Sequence, residues 1–120
     1  MTVHKVLCVD DAAADLSMIQ KVVSSANLNV VSASNGKDAI ERAKSEKPDL
    51  IFLDILMPDM DGFAVIRELQ KDPETRDIPV VFISSKSQKS DQMWAKMQGA
   101  KGFLSKPVSP DGVLDEIKKF

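Results

Sequence analysis

The chain has 120 residues, 43% of them hydrophobic and 28% charged, with a formal net charge of −2. That length suits one domain with one core, and the composition is that of an ordinary globular domain. Lysines and arginines are scattered rather than massed, so the chain carries no electrostatic footprint for nucleic acid or for an anionic membrane.

Val6-Leu7-Cys8-Val9 reads as a short buried strand, and the single cysteine within it as a core thiol. Asp10 and Asp11 cut this apolar segment off too early for a signal peptide. No run approaches the roughly 20 apolar residues that span a bilayer, so the cytoplasm is the expected location. The only histidine, His4, reads as a strand-edge residue rather than a ligand. Leu16, Ile19, Val22 and Val23 then recur at helical spacing. Val30-Val31 forms a β-branched segment followed by an expected turn at Asn35-Gly36. Ala39, Ile40 and Ala43 mark a second helix, stopped near Lys47-Pro48 because proline cannot continue it. Leu50 to Leu53 is a strand, and Gly62 leads into a helix carrying Phe63, Val65, Ile66 and Leu69. Ile78 to Ile83 predicts a fourth strand, and Gln88 to Gln98 a helix closed by Gly99. Gly102 to Ser105 reads as a short strand, and Pro110 to Lys119 as a last helix with Val113, Leu114 and Ile117 on its apolar stripe.

Five β–α units in strict alternation, with strands too apolar to have a solvated face, predict an α/β domain. The expected architecture is a five-stranded parallel sheet with helices on both sides, over residues 1–120, without repeat or linker. In such a sheet, ligands bind outside the carboxyl ends of the strands. Asp10 and Asp11 follow the first strand, Asp54 ends the third, Ser84 and Ser85 follow the fourth, and Lys106 follows the fifth. The second strand delivers only Ser34 and Asn35, as a peripheral strand would.

Three acids, a hydroxyl and an amine thus converge on one edge. Each has a bland reading alone: Asp10 and Asp11 as helix caps, Lys106 as a solvated residue before Pro107. Together they have no equally simple structural explanation. Clustered carboxylates repel one another and call for a cation, and hard oxygen ligands suit Mg²⁺. Zinc is disfavoured, since Cys8 has no partner ligand. A metal, a carboxylate and a fixed ammonium make a site for phosphoryl transfer, with the carboxylate attacking in line. The "MPDMDGFAVIRE" stretch comes close to a calcium loop, with Asp59, Asp61, Gly62 and Glu68 in register. Met57 stands at the first ligand position and a strand precedes it, so Asp59 and Asp61 are expected to be turn residues.

The acid pair in "VLCVDDAAAD", the "DLIFLDILMPDMDG" segment, the "IPVVFISS" strand and "GFLSKPV" together resemble the receiver domain of two-component response regulators, in order and over essentially the whole chain. That resemblance implies a flavodoxin-like strand order 2-1-3-4-5. It implies Asp54 as phosphoacceptor, with Mg²⁺ held by Asp10, Asp11, Asp54 and the Leu56 backbone carbonyl. Ser84 takes the place of the switch hydroxyl, Lys106 that of the invariant lysine and Phe103 that of the aromatic switch. Leu56 and Lys86 sit where the family tunes phosphoryl lifetime. The implied partners are a histidine kinase or phosphotransfer protein and a downstream protein met through the fourth helix, fifth strand and fifth helix. No turnover of an external substrate, no nucleic-acid contact and no membrane contact are implied.

The segment "MWAKMQGAKGFLSKPV" also looks like single-domain receivers of chemotaxis-like systems that govern type IV pilus motility. Met93, Trp94 and Met97 there read either as a partner anchor or as simple packing. A phosphatase would need a second acid where Leu56 stands, and a flavin binder a hydroxyl- and glycine-rich loop where Asp-Asp-Ala-Ala-Ala stands. The last helix ends almost with the chain. A receiver cut from a longer regulator with DNA-binding or enzymatic output is the alternative, along with a non-phosphorylated pseudo-receiver.

Overall fold

The computed structural model describes residues 2–120. The strands are β1 (Lys5–Val9), β2 (Asn29–Ala33), β3 (Leu50–Asp54), β4 (Val80–Ser84) and β5 (Gly102–Ser105). The helices that alternate with them are α1 (Ala13–Ser25), α2 (Gly36–Glu46), α3 (Gly62–Lys71), α4 (Lys89–Met97) and α5 (Pro110–Lys118). All strand pairs are parallel, and the order is β2-β1-β3-β4-β5, as expected.

Side chains of a strand alternate between faces, so each strand feeds two cores. Leu7, Val9, Ile51, Leu53 and Phe82 pack with Ala39, Ala43, Val65, Ile66, Leu69 and Ala95 of α2, α3 and α4. Val6, Cys8, Leu50, Phe52, Val81 and Ile83 pack on the opposite face with Ile19, Val22, Val23 and Val113 of α1 and α5. Phe52 and Phe82 are fully buried on opposite faces, and each contributes roughly 2–3 kcal/mol by leaving water. This firmly packed centre is what lets the next residues along β3 and β4 be polar.

Three sequence expectations need correction. Asn35-Gly36 is not a free turn: Asn35 caps α2, its side chain accepting from the Asp38 amide at 2.8 Å. β4 starts at Val80 rather than Ile78, although the Pro79 carbonyl already accepts from Ile51 N at 3.0 Å. Only β3 and β4 are enclosed along their whole length, and β1 beyond Lys5; β2 and β5, at the edges, stay partly exposed. Cys8 is buried, and burial pushes its thiol up to about 12, so it is an inert core group.

Candidate functional site

The carboxyl ends of β1, β3, β4 and β5 converge on one edge. The Asp10 amide donates to the Ala33 carbonyl at 3.2 Å, which extends the ladder one residue beyond β1 and holds this side chain at the sheet end. Its Oδ1 accepts from Ala12 N at 2.9 Å, while α1 begins after Ala12 with no side-chain cap. Neither Asp10 nor Asp11 is therefore the N-cap residue.

Asp54 ends β3 and is 3% exposed, although a carboxylate is seldom tolerated there. It is placed by a tight return of the chain: Gly62 N donates to the Ile55 carbonyl at 2.8 Å. A Cβ on Gly62 would lie 2.9 Å from the Asp54 carbonyl oxygen and 3.0 Å from Ile55 Cα, so only glycine permits this approach. Asp61 caps α3 through Ala64 N at 2.8 Å, and Asp59 accepts from Gly36 N and Lys37 N, both at 3.0 Å. The two acids of the calcium-like loop are thus structural, and Asp59 ties the β3–α3 connection to the start of α2. Those two amides hold its carboxyl below the usual carboxylate range.

Carboxylate oxygens of Asp10, Asp11 and Asp54 lie within 4.8 Å of one another. Lys106, its side chain 18% exposed, places Nζ 3.0 Å from Asp10 Oδ2 and 3.5 Å from Asp54 Oδ2. The Asp10 contact is close in charge but lacks hydrogen-bond alignment, so Asp10 Oδ2 is buried with an unfilled acceptor. Burial, then the Asp10 charge, raises Asp54 from 3.8 to about 7, against the pull of Lys106. Burial works against the Lys106 ammonium, but its contacts with Asp10 and Asp15 and the charge of Asp54 outweigh it and raise its pKa.

The site's own chemistry fits a hard divalent cation. Three carboxylates meet with only one ammonium among them, and one buried oxygen still faces inward without a donor.

Ser84 ends β4 and is buried, its Oγ accepting from Lys86 N at 3.0 Å. Together with Ile55, Leu56, Asp61, Phe63, Lys86 and Asp91 it lines a cavity of about 150 Å³ beside the acids. The Leu56 side chain is 52% exposed at the mouth. Phe103, on β5, is partly buried and lines a groove of about 350 Å³ against α4. The Lys106–Pro107 peptide bond is cis. Trp94 stacks edge-on against Phe63 with ring centres 6.3 Å apart, yet it, Met93 and Met97 remain exposed. The reading that Met97 packs beneath the helix is therefore overturned, and packing holds only for one face of Trp94.

The sequence reading missed Asp15. Two turns of α1 do not separate it from the acid pair: it lies in the first turn, and its Oδ2 accepts from Lys106 Nζ at 3.1 Å. Its spacing of four residues from Asp11 was the available signal.

A family model described as "Response regulator receiver domain" matches residues 6–118. The protein PilH of Pseudomonas aeruginosa is 38% identical over 113 residues, covering 94% of this chain and 93% of its own length. The chemotaxis protein CheY of Bacillus subtilis is 38% identical over 118 residues, covering 97% and 96%. The response regulator PleD of Caulobacter vibrioides is also 38% identical, over 104 residues, but this chain spans only 23% of it. Among solved structures, the Vibrio cholerae chemotaxis protein CheY4 superposes with a TM-score of 0.91 at 26% identity, covering 98% of each chain. Fold, strand order and sequence agree, and the chain belongs to the response regulator receiver domain family.

Proposed function

We propose that residues 1–120 form one receiver domain that takes a phosphoryl group on Asp54 from a histidine kinase or phosphotransfer protein. The observation that carries this reading is the near-buried Asp54 set beside Lys106 in a cluster of three carboxylates that this one ammonium cannot neutralise. Receiver domains as a family bind Mg²⁺ at an acidic pocket and work between histidine kinases and downstream targets. Here Asp10, Asp11 and Asp54 would hold the ion, joined by the Leu56 carbonyl that the resemblance assigns. When bound it supplies positive charge to the phosphoryl oxygens.

The Asp54 carboxylate attacks phosphorus in line as the bond to the donor imidazole nitrogen breaks, and the imidazole leaves with a proton from solvent. Lys106 moves from its resting place among Asp10, Asp15 and Asp54 to an equatorial phosphoryl oxygen, where its ammonium offsets developing charge. Ser84 releases its local contact with Lys86 N and donates its hydroxyl to the same group. Phe103 then repacks towards the space Ser84 leaves, which reshapes the α4–β5–α5 surface for a protein target. The domain catalyses only its own phosphorylation and hydrolysis. The likeness to PilH supports a pilus-type, chemotaxis-like setting in the cytoplasm. Among the described residues no helix is long and apolar enough to cross a membrane.

Intact-mass measurement after incubation with acetyl phosphate and Mg²⁺ tests the reading. A single phosphoryl adduct is expected in the wild type and none in Asp54→Asn or in EDTA. An adduct that survives Asp54→Asn places the acceptor elsewhere, and absence of any adduct from either acetyl phosphate or a phosphorylated kinase leaves a binding module without phosphorylation.

A further inference from the structure

Lys106 is contested. Its Nζ lies within 3.5 Å of three carboxylates, yet its aligned hydrogen bond goes to Asp15, the most exposed of the three. Asp15 stands at the third position of α1, where a carboxylate usually turns back to cap its own helix. No such cap is made here: the Ala12 amide donates to Asp10 Oδ1 instead, and Asp15 Oδ2 accepts from a residue 91 positions away. Asp54 Oδ2, at 3.5 Å, has the longest of the three contacts. A lysine has three donors and one position, so the bond to Asp15, together with the 3.0 Å contact to Asp10, sets where the ammonium rests.

We propose that Asp15 is a positioning residue that holds the Lys106 ammonium back from Asp54 until an incoming phosphoryl group takes it, and so restrains the rate of phosphorylation. This rests on the phosphoryl-acceptor reading of Asp54. The restraint acts on the resting domain: Lys106 must leave Asp15 to reach the transition state. Once the phosphoryl group is on Asp54, Lys106 has already moved, and hydrolysis starts from that state. Removing the Asp15 charge therefore speeds entry of the phosphoryl group and leaves its departure unchanged. A merely structural role would alter both rates or neither.

The test follows adduct formation and decay by intact mass, with acetyl phosphate and saturating Mg²⁺, in wild type, Asp15→Asn and Asp15→Ala. Both variants are expected to phosphorylate about threefold to fivefold faster, the scale of a part-exposed ion pair, with decay rates within twofold of wild type. In metal-free protein, ¹⁵N relaxation of the Lys106 ammonium is expected to report greater mobility in Asp15→Asn. Asp15 is half exposed, so the fold should stand, and alanine favours the helix if asparagine does not. Unchanged or slower phosphorylation overturns the proposal, as does an ammonium equally rigid without Asp15. The acceleration should also persist in about 1 M salt, where the Debye length is near 3 Å. If salt abolishes it, Asp15 merely repels the anionic donor and the proposal fails. A wild type that takes no phosphoryl group from acetyl phosphate or from a phosphorylated kinase, while Lys106 is freed in Asp15→Asn, overturns the acceptor reading and, with it, any role for Asp15 in rate.

Discussion

At the amino ends of the strands most polar groups answer one another, although Glu116 Oε1, buried beside Gly102 at the start of β5, has no hydrogen-bond partner. Asp49 Oδ2 accepts from His4 N at 2.9 Å and from Lys5 N at 3.0 Å, and Lys5 Nζ reaches both the Glu46 carbonyl and its carboxylate. Thr75, on the connection into β4, donates its buried hydroxyl to the Leu69 carbonyl at 2.7 Å. At the carboxyl ends the same kinds of groups are left in conflict: carboxylates crowd together, one buried oxygen has no donor, and one lysine is shared among three acids. One end of the sheet is assembled for stability. The other holds unbalanced charge that only an added cation or anion-transfer chemistry can use.

Substitutions at the two ends should therefore have opposite signs. The largest effect expected is at Asp54. Its pKa lies near 7 in the metal-free fold against 3.8 unperturbed, so the folded chain favours the protonated carboxyl. The stability lent by that preference is complete below about pH 4 and is lost as pH rises through 7. In EDTA at pH 8, Asp54→Asn is expected to be more stable than wild type by about 2 kcal/mol, a figure kept below the full shift because solvent and neighbours relax around the charge. The gap should close by pH 4, and Mg²⁺ should narrow it by stabilising only the wild type. Urea unfolding at the two pH values measures this. Equal stability at pH 8 would show that the edge stores no charge strain.

At the opposite end, Thr75→Val removes a buried donor and leaves the Leu69 carbonyl without it, which is expected to cost about 1.5 kcal/mol at any pH between 5 and 8. Asp49→Ala strips one acceptor from two backbone amides in a part-buried setting and is expected to cost about 1 kcal/mol. Neither should alter phosphorylation of Asp54 in the mass assay. A loss of acceptor activity in Asp49→Ala with the fold intact would join the two ends and break the contrast.

The sheet was legible because its strands are short unbroken apolar runs separated by helix-spaced ones, a pattern with few alternatives. The site was legible for a related reason: topology sends every strand end to one edge, so Asp10, Asp54, Ser84 and Lys106 could be gathered without knowing a distance. What escaped were contacts of acidic side chains with partners that no periodicity links to them. Asp59 to the start of α2 spans 23 residues, and Asp15 to Lys106 spans 91. A solvated acid in a loop or a first helical turn has a local use as turn or cap, and its sequence looks the same when it serves a distant partner. Asn35 erred the other way: Asn-Gly suggested a turn, while Asp38 three residues on completes the helix start. Ile78-Pro79 is as apolar as the strand it precedes, and only the proline's missing N–H marks it as a lead-in.

The smallest effect expected also bears most directly on what the carboxyl edge is for. Hydrolysis of the Asp54 phosphoryl group needs a water held in line with the bond to Asp54. Leu56, half exposed at the mouth of the site, has no group with which to hold one. Leu56→Asn adds an amide at that position without disturbing packed core, so stability should stay within about 0.5 kcal/mol of wild type. Decay of the adduct is expected to quicken about fivefold, on the order of 1 kcal/mol off the barrier. The rate of phosphorylation, set by Lys106 and the acids rather than by Leu56, should move much less. Decay no faster than in wild type would mean that water reaches phosphorus along a path Leu56 does not border, and that the lifetime is set inside the acid cluster instead of at its mouth.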